Sequence, residues 1–322
     1  MKKTLVTGVA GMIGSHLTDS LLEKGYSIVG VDDLSVGKIE NIEHQLRNKN
    51  YSFEKLDILD IQELKKVSRN VDTIVHLAAT KKIGEDGSGY NTLTVNTKGT
   101  ENVLEIAKKN NCKTVIASTS DVYGMSPDLP LKEDGDLLLG PSMIKRWSYA
   151  VSKLYCEQLA FAYNKDFNVP IVVLRYFGGF SPRSSFSWSG GHIPLFVDAI
   201  LKNEELIVHG DGKQTRSMGY VSDLVDGTIL AMENPSAIGQ IINIGNDEEM
   251  SVIGTAYLID KIANTGNELK IKFVPFENVF GEYKDIMRRV PDLRKAKKLL
   301  GYEPQISLRE AIKITIEHRT IY

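Results

Sequence analysis

The 322-residue chain predicts an α/β fold, a doubly wound parallel sheet carrying a smaller α/β lobe. Two observations predict it. Over residues 1–176, strand-like and helix-like patterns alternate, which places helices on both faces of a parallel sheet. The first strand also runs into a three-glycine turn, Gly8-x-x-Gly11-x-x-Gly14, of the kind that opens a Rossmann-type dinucleotide cradle.

Leu5 and Val6 read as the buried first strand. Gly8 permits a tight turn, Gly11 lets backbone approach a pyrophosphate, and Gly14 lets the next helix pack close. That helix, expected over 12–24, turns its first amides, at Met12 and Ile13, toward the phosphates. The second strand, Ser27–Asp32, ends on a carboxylate suited to both ribose hydroxyls. Asp32 would repel a 2′-phosphate and no Arg follows closely, so the expected cofactor is NAD, not NADP. After a strand over Tyr51–Leu56, Asp57 is placed either to meet the adenine edge or to cap a helix starting near Asp60. Further strand runs are Asp72–Ala79, Lys113–Ser118 and Pro170–Arg175, with helices over Thr97–Asn110 and Tyr149–Asp166. His76, inside an apolar strand, is expected to be a satisfied core residue.

The pattern changes after Phe177. Gly178–Gly191 is rich in Gly, Ser and Pro and carries Phe186 and Trp188, a long loop of the kind that is often functional. Short strands and helices follow at Leu206–His209, Ser217–Val221, Ser222–Glu233 and Gln240–Ile244, with closing helices near Leu293–Leu300 and Ser307–His318. The expected organisation is a Rossmann-type domain over 1–176 plus part of 214–246. A substrate-binding lobe over 177–213 and 247–322 covers the carboxyl ends of its strands, with the ligand in the cleft between.

Composition narrows the class. The 39 basic and 41 acidic residues leave a net charge of −2, so no field for nucleic acid is expected. No apolar run reaches membrane-span length, and the amino terminus enters a strand pattern directly. Cys112 and Cys156 are too few for a disulfide framework or zinc site, and the six histidines lack ligand spacing. The expectation is a soluble cytoplasmic protein without a metal.

Tyr149 and Lys153 lie one helical turn apart on one face. A phenol ionises near ~10 in water. An ammonium and a positive nicotinamide ring favour the phenolate, which can take a hydroxyl proton while the adjacent carbon gives its hydride to NAD. Lys153 can also hold the nicotinamide ribose. A hydroxyl to hold the substrate oxygen comes from Ala117-Ser-Thr-Ser-Asp-Val-Tyr-Gly124, at the end of the fifth strand.

With these residues in view, the chain resembles extended short-chain dehydrogenase/reductases that modify nucleotide-diphosphate sugars. The likeness runs nearly end to end. It includes Asp32-Asp-Leu-Ser, His76-Leu-Ala-Ala79, Ser118–Gly124, Tyr149-x-x-x-Lys153, Arg175-Tyr-Phe177, the block Gly210–Asp223, Arg289-Val-Pro-Asp292 and Ala296–Tyr302. The resemblance implies Thr119, Asp121, Tyr149 and Lys153 as catalytic residues. It implies cofactor contacts from Gly8, Gly11, Met12, Ile13, Gly14, Asp32, Asp57, Ile58, Ala78, Ala79, Tyr149 and Lys153. It implies substrate contacts from Lys81, Thr119, Ser120, Arg183, Arg216 and Arg289, with guanidinium forks suited to a diphosphate.

Thr119-Ser120-Asp121 and the block Gly140-Pro-Ser-Met-Ile-Lys-Arg-Trp-Ser-Tyr149 look most similar to UDP-glucuronate decarboxylases, where the counterpart of Arg289 is a proposed proton donor. The chain departs from that pattern at three points. Asp121 is one methylene shorter than the usual Glu, Gly178 replaces an Asn, and the loop 181–191 is unlike the family's. Arg183 in that loop could hold a substrate carboxylate or a phosphate. Four readings stay open: a decarboxylase, an epimerase or 4,6-dehydratase with the same first step, a net C4 dehydrogenase releasing a keto-sugar, and an NAD-sensing protein without activity. The resemblance also implies a homodimer or dimer of dimers, paired through the helices at 97–110 and 149–166.

Overall fold

A computed structural model of the chain describes residues 2–81, 88–184, 191–280 and 285–321. The first half alternates β1 (Lys3–Thr7), α1 (Met12–Glu23), β2 (Ser27–Asp32), β3 (Tyr51–Lys55), α2 (Ile61–Val67), β4 (Thr73–His76), α3 (Gly89–Asn110), β5 (Lys113–Thr119), α4 (Trp147–Phe167) and β6 (Ile171–Tyr176). The second half adds β7 (Gly179–Phe180), α5 (His192–Leu201), β8 (Leu206–His209), β9 (Thr215–Ser217), β10 (Gly219–Tyr220), α6 (Val221–Glu233) and β11 (Gln240–Ile244). It closes with β12 (Glu249–Ser251), α7 (Val252–Ala263), β13 (Ile271–Val274), α8 (Glu277–Phe280), α9 (Arg294–Leu300) and α10 (Leu308–Ile321).

Seven strands form one parallel sheet in the order β11-β6-β5-β4-β1-β2-β3. The expected Rossmann-type sheet is therefore present. Side chains of its strands alternate between two cores, as the two-residue strand period requires. Val6, Ile28, Val75, Val115 and Val172 pack with α1 and α6, while Leu5, Val29, Ile74, Ile116 and Val173 pack with α2, α3 and α4. His76 lies fully buried between Thr7 Oγ1 (2.7 Å) and Thr100 Oγ1 (3.0 Å), and burial lowers its pKa to about 3, so it is the satisfied core residue expected.

A third core joins α5, α7, α10 and β8 into the lobe. Three features differ from expectation. The helix expected at Thr97 begins at Gly89, because the Ser88 hydroxyl caps it by accepting Asn91 N–H. The Ser217–Val221 run divides into β9 and β10, and Val221 opens α6. Within the stretch expected to form the lobe, Ala296, Leu300 and Tyr302 pack into the sheet-side core with α6 and β11.

Candidate active site

The carboxyl ends of β1, β4, β5 and β6 open into a cleft of about 440 Å³, walled on the other side by the lobe. Gly8, Gly11, Met12, Ile13 and Gly14 line it. Gly8 has φ +72°, and a Cβ there would stand 2.7 Å from Ala78 N. A Cβ at Gly14 would collide with the Gly8 carbonyl oxygen. Gly11 caps α1 with no side chain, leaving the first amides of the helix for an anion.

Asp32 ends β2 with one oxygen on Ala10 N–H (3.0 Å) and the other on Leu34 N–H (2.9 Å). Burial raises its pKa, and those two backbone bonds oppose the rise. The cradle therefore fits a dinucleotide with an unsubstituted adenosine ribose. Asp32→Ala is expected to weaken NAD binding about ten- to hundredfold, the worth of hydrogen bonds to a charged group. A titration in which the wild-type protein prefers NADP would refute this placement.

One expectation after the third strand needs correction, the helix cap. Asp60, not Asp57, caps α2, through Gln62 N–H and Glu63 N–H at 3.1 Å each. Asp57 is exposed and accepts Leu59 N–H (2.9 Å) in a local turn. The Ile58 side chain points into the core against Gly99, while its carbonyl accepts from Asn102 (2.9 Å). Ala78 N–H donates to Thr7 Oγ1, and Ala79 lines the cleft.

β5 and α4 bring Thr119, Tyr149 and Lys153 to the cleft floor. Lys153 is 2 % exposed and donates from Nζ to the Ala117 carbonyl (2.8 Å). Asn96 fixes the loop leading to Lys81 against α4, bonding both backbone groups of Thr80 and the Ser152 hydroxyl. Beneath them, one turn beyond Lys153, Glu157 takes Arg175 Nε (2.9 Å) and Nη2 (2.8 Å), and also the Ser118 hydroxyl. The Tyr149 phenol is pushed up by burial and then by the Asp121 charge, with the Thr119 hydrogen bond acting the other way. Phenolate stabilisation by Lys153 is thus not the dominant influence, because its ammonium is turned to Ala117. Burial also lowers the pKa of Lys153 itself.

Asp121 is the electrostatic centre of the floor. Its carboxylate meets Arg289 Nη2 (2.9 Å), Lys81 Nζ (2.9 Å) and Arg146 Nη1 (3.7 Å). Burial pulls its pKa upward, but Arg289, Lys81 and Arg146 outweigh it and hold the carboxyl well below the usual range. Ser120 Oγ faces Arg289 Nη1 at 3.4 Å. Arg146 went unremarked in the sequence, although it lies three residues before Tyr149 inside the block that carried the resemblance. It is 5 % exposed and lies 4.8 Å from the Trp147 ring.

Arg216 also lines the cleft, its Nη2 held by both Asp285 oxygens (2.9 and 2.8 Å) and its Nη1 by the Thr215 and Ile286 carbonyls. Arg183 is corrected. It is not among the cleft-lining residues, because its guanidinium pairs with Asp19 on α1 at 2.8 Å. Phe186 and Trp188 lie outside the described residues. At Gly178, a side chain would meet the Met218 sulfur, so Met218 takes the space an Asn would fill. Among the described residues, no group of three or more His, Cys, Asp or Glu could hold a metal.

A glycine cradle beside a Tyr–Lys pair on a doubly wound sheet defines a dinucleotide-dependent oxidoreductase site of the short-chain type. The family model described as GDP-mannose 4,6 dehydratase matches residues 5–315, and the chain belongs to that family. It is 36% identical over 318 residues to a UDP-N-acetyl-alpha-D-glucosaminuronate decarboxylase from Bacillus cytotoxicus, covering 98% of this chain and 97% of the relative. It is 35% identical to UDP-glucuronic acid decarboxylase 1 of Xenopus tropicalis, covering 98% of this chain and 72% of the relative. Its fold is similar to the crystal structure of UDP-glucuronic acid 4-epimerase from Bacillus cereus in complex with UDP-glucuronic acid and NAD. The TM-score there is 0.88, at 32% identity over 99% of this chain and 100% of the other. The chain is an NAD-dependent enzyme of the extended short-chain dehydrogenase/reductase type.

Arg216 and Arg289 stand away from the glycine cradle. Replacing either with Met is expected to raise the KM for substrate at least tenfold, the cost of a lost charged hydrogen bond, and to leave NAD affinity unchanged. A matching fall in NAD affinity would move the substrate end of the cleft.

Proposed function

We propose that the protein oxidises the C4 hydroxyl of a UDP-linked uronic acid and then removes its carboxyl group. One observation carries the reading. Three cations, Lys81, Arg146 and Arg289, surround the single carboxylate of Asp121 on the cleft floor. That excess of positive charge, reached from Tyr149 and Thr119, suits a sugar bearing its own carboxylate. The two decarboxylase relatives point the same way.

NAD, when bound, is the two-electron acceptor. Thr119 holds the C4 oxygen and Tyr149 takes its proton. Oxidation leaves a ketone β to the carboxylate, so carbon dioxide can depart with its bonding pair delocalised onto the C4 oxygen. Arg289, beside Ser120 and Asp121, is placed to return a proton to C5, and Tyr149 gives its proton back to the C4 oxygen as the two electrons return to C4, so the net change is loss of carbon dioxide. Asp121 stays ionised throughout neutral pH and orients the cations.

Incubation with UDP-glucuronate and UDP-N-acetylglucosaminuronate, read by mass spectrometry, tests this. Loss of carbon dioxide is expected. Unchanged mass with inverted C4, loss of water, or loss of two hydrogens would replace decarboxylation by epimerisation, dehydration or net oxidation. Asp121→Asn is expected to reduce NAD with substrate yet release less than a tenth of the decarboxylated product, because the cations lose the charge that orients them. Unchanged product formation would leave Asp121 no role after oxidation.

The working form is a cytoplasmic homodimer or dimer of dimers. Exposed Tyr90, Leu93, Val151 and Tyr155 on the neighbouring helices α3 and α4 support the pairing. Two buried free thiols, and the lack among the described residues of a helix long and apolar enough to cross a membrane, are compatible with the compartment.

A further inference from the structure

Asp19 lies on α1, seven residues beyond Met12, and is not among the cleft-lining residues. Two turns of helix, about 10 Å, separate it from the amides that await the pyrophosphate. Its carboxylate is nonetheless the meeting point of three segments. One oxygen accepts from His44 Nε2 (2.8 Å) and Gln45 Nε2 (3.0 Å). The other faces Arg183 Nη1 at 2.8 Å. The Asp19 and Arg183 side chains are 21 % and 24 % exposed, so water screens this pair only in part.

The partners belong to two segments that border the dinucleotide cradle. His44 and Gln45 lie on the segment that leaves β2 at Asp32. That segment is sealed onto the glycine turn, where the Ala10 carbonyl accepts Lys38 N–H (3.2 Å) and Asn41 Nδ2 (2.8 Å). The approach is close, since a Cβ at Gly37 would stand 2.8 Å from Ala10. Arg183 belongs to a compact turn on the lobe side. Ser181 and Ser184 are buried there and bonded to one another, Ser184 Oγ accepting Ser181 N–H (2.9 Å) and the Ser181 carbonyl accepting Ser184 N–H (3.1 Å). Ser184 Oγ also meets the Met12 sulfur (3.1 Å), on the first residue of α1 and in the cleft wall. A dinucleotide spanning Asp32 and the glycine turn is bordered by both segments, and its release requires one of them to move. A cradle already held in its closed arrangement binds more tightly, because little ordering cost is left to meet on binding.

We infer that Asp19 is a positioning residue for NAD: through His44, Gln45 and Arg183 it holds both borders of the cradle in place and sets how long the cofactor stays bound. This goes beyond the reading above and holds whichever sugar the site takes.

The test is a chase. Radiolabelled NAD is bound to the protein, excess unlabelled NAD is added, and retained label is counted over time. Asp19→Asn keeps the shape and removes the charge, and is expected to speed NAD release about five- to thirtyfold. Arg183→Met frees one border only and is expected to speed it about three- to tenfold. The double variant is expected to release NAD no faster than Asp19→Asn, since the charge that Arg183 answers is already gone. With NAD saturating, the KM for nucleotide sugar in Arg183→Met should stay within about twofold of the wild type. A role in folding alone predicts a lower urea midpoint with NAD release unchanged, and that outcome would overturn the inference. So would a double variant whose acceleration is the product of the two single effects, or a raised KM for sugar, which would return Arg183 to the substrate. If Asp19→Asn does not fold, Arg183→Met decides alone, and release at the wild-type rate overturns the inference.

Discussion

Tyr149→Phe is expected to slow NADH formation by about a hundred- to ten-thousandfold, the usual worth of a positioned acid–base group. The measurement is single-turnover absorbance of NADH with saturating nucleotide sugar. The substitution removes one oxygen and little volume, so folding and NAD affinity should persist. In the structure, burial and the Asp121 charge keep this phenol protonated, and the Thr119 hydrogen bond only partly offsets them. Proton acceptance therefore depends on positive charge arriving beside the ring, and the nicotinamide of NAD supplies it. The rate should rise with pH across the neutral range in the wild type and lose that dependence in the variant. Full activity of Tyr149→Phe would remove the proton acceptor from the mechanism.

Arg175→Met is expected to destabilise the fold by about 3–5 kcal/mol, because it strands Glu157 as a buried, unpaired charge. The side chains of the pair are only 4 % and 2 % exposed. Urea unfolding followed by circular dichroism measures the shift. The double variant Arg175→Met/Glu157→Leu should recover much of the loss, since an apolar pair of similar volume often replaces a buried ion pair at little cost. A single variant as stable as the wild type would mean that Glu157 takes up a proton or finds water. Asp121 responds to pH with a definite sign. Its folded pKa lies below the ordinary 3.8, so its contribution is complete above that pH and is lost as pH falls through the lower folded value.

The sheet was legible because its signals are local. The turn at Gly8, Gly11 and Gly14 and the apolar runs of β1, β2, β4, β5 and β6 each announce themselves within a few residues. Tyr149 and Lys153 were legible for the same reason, through one-turn spacing. What could not be read depends on which distant segments meet. Nothing in the run Ile144–Trp147 shows that Arg146 is buried against Asp121, because burial of a charge is decided by its partner's position. Arg183 looked like a substrate ligand in a glycine-rich loop, but its guanidinium pairs with Asp19 on α1. Asp57 and Asp60 compete for one cap, and only the backbone geometry of the turn chooses Asp60. His192 carried no sequence signal, since an imidazole at a helix start is ordinary until its ring nitrogen is found buried without a partner among the described residues.

The charges that meet at Asp121 come from positions 81, 121, 146 and 289. During synthesis, a growing chain could already shape the glycine cradle and bring Tyr149 beside Lys153. Of the four positions, Arg289 is the last to be made. A chain cut short of position 289 is expected to keep the glycine cradle and the Tyr149–Lys153 pair while leaving the Asp121 carboxylate with two cations where the full arrangement has three.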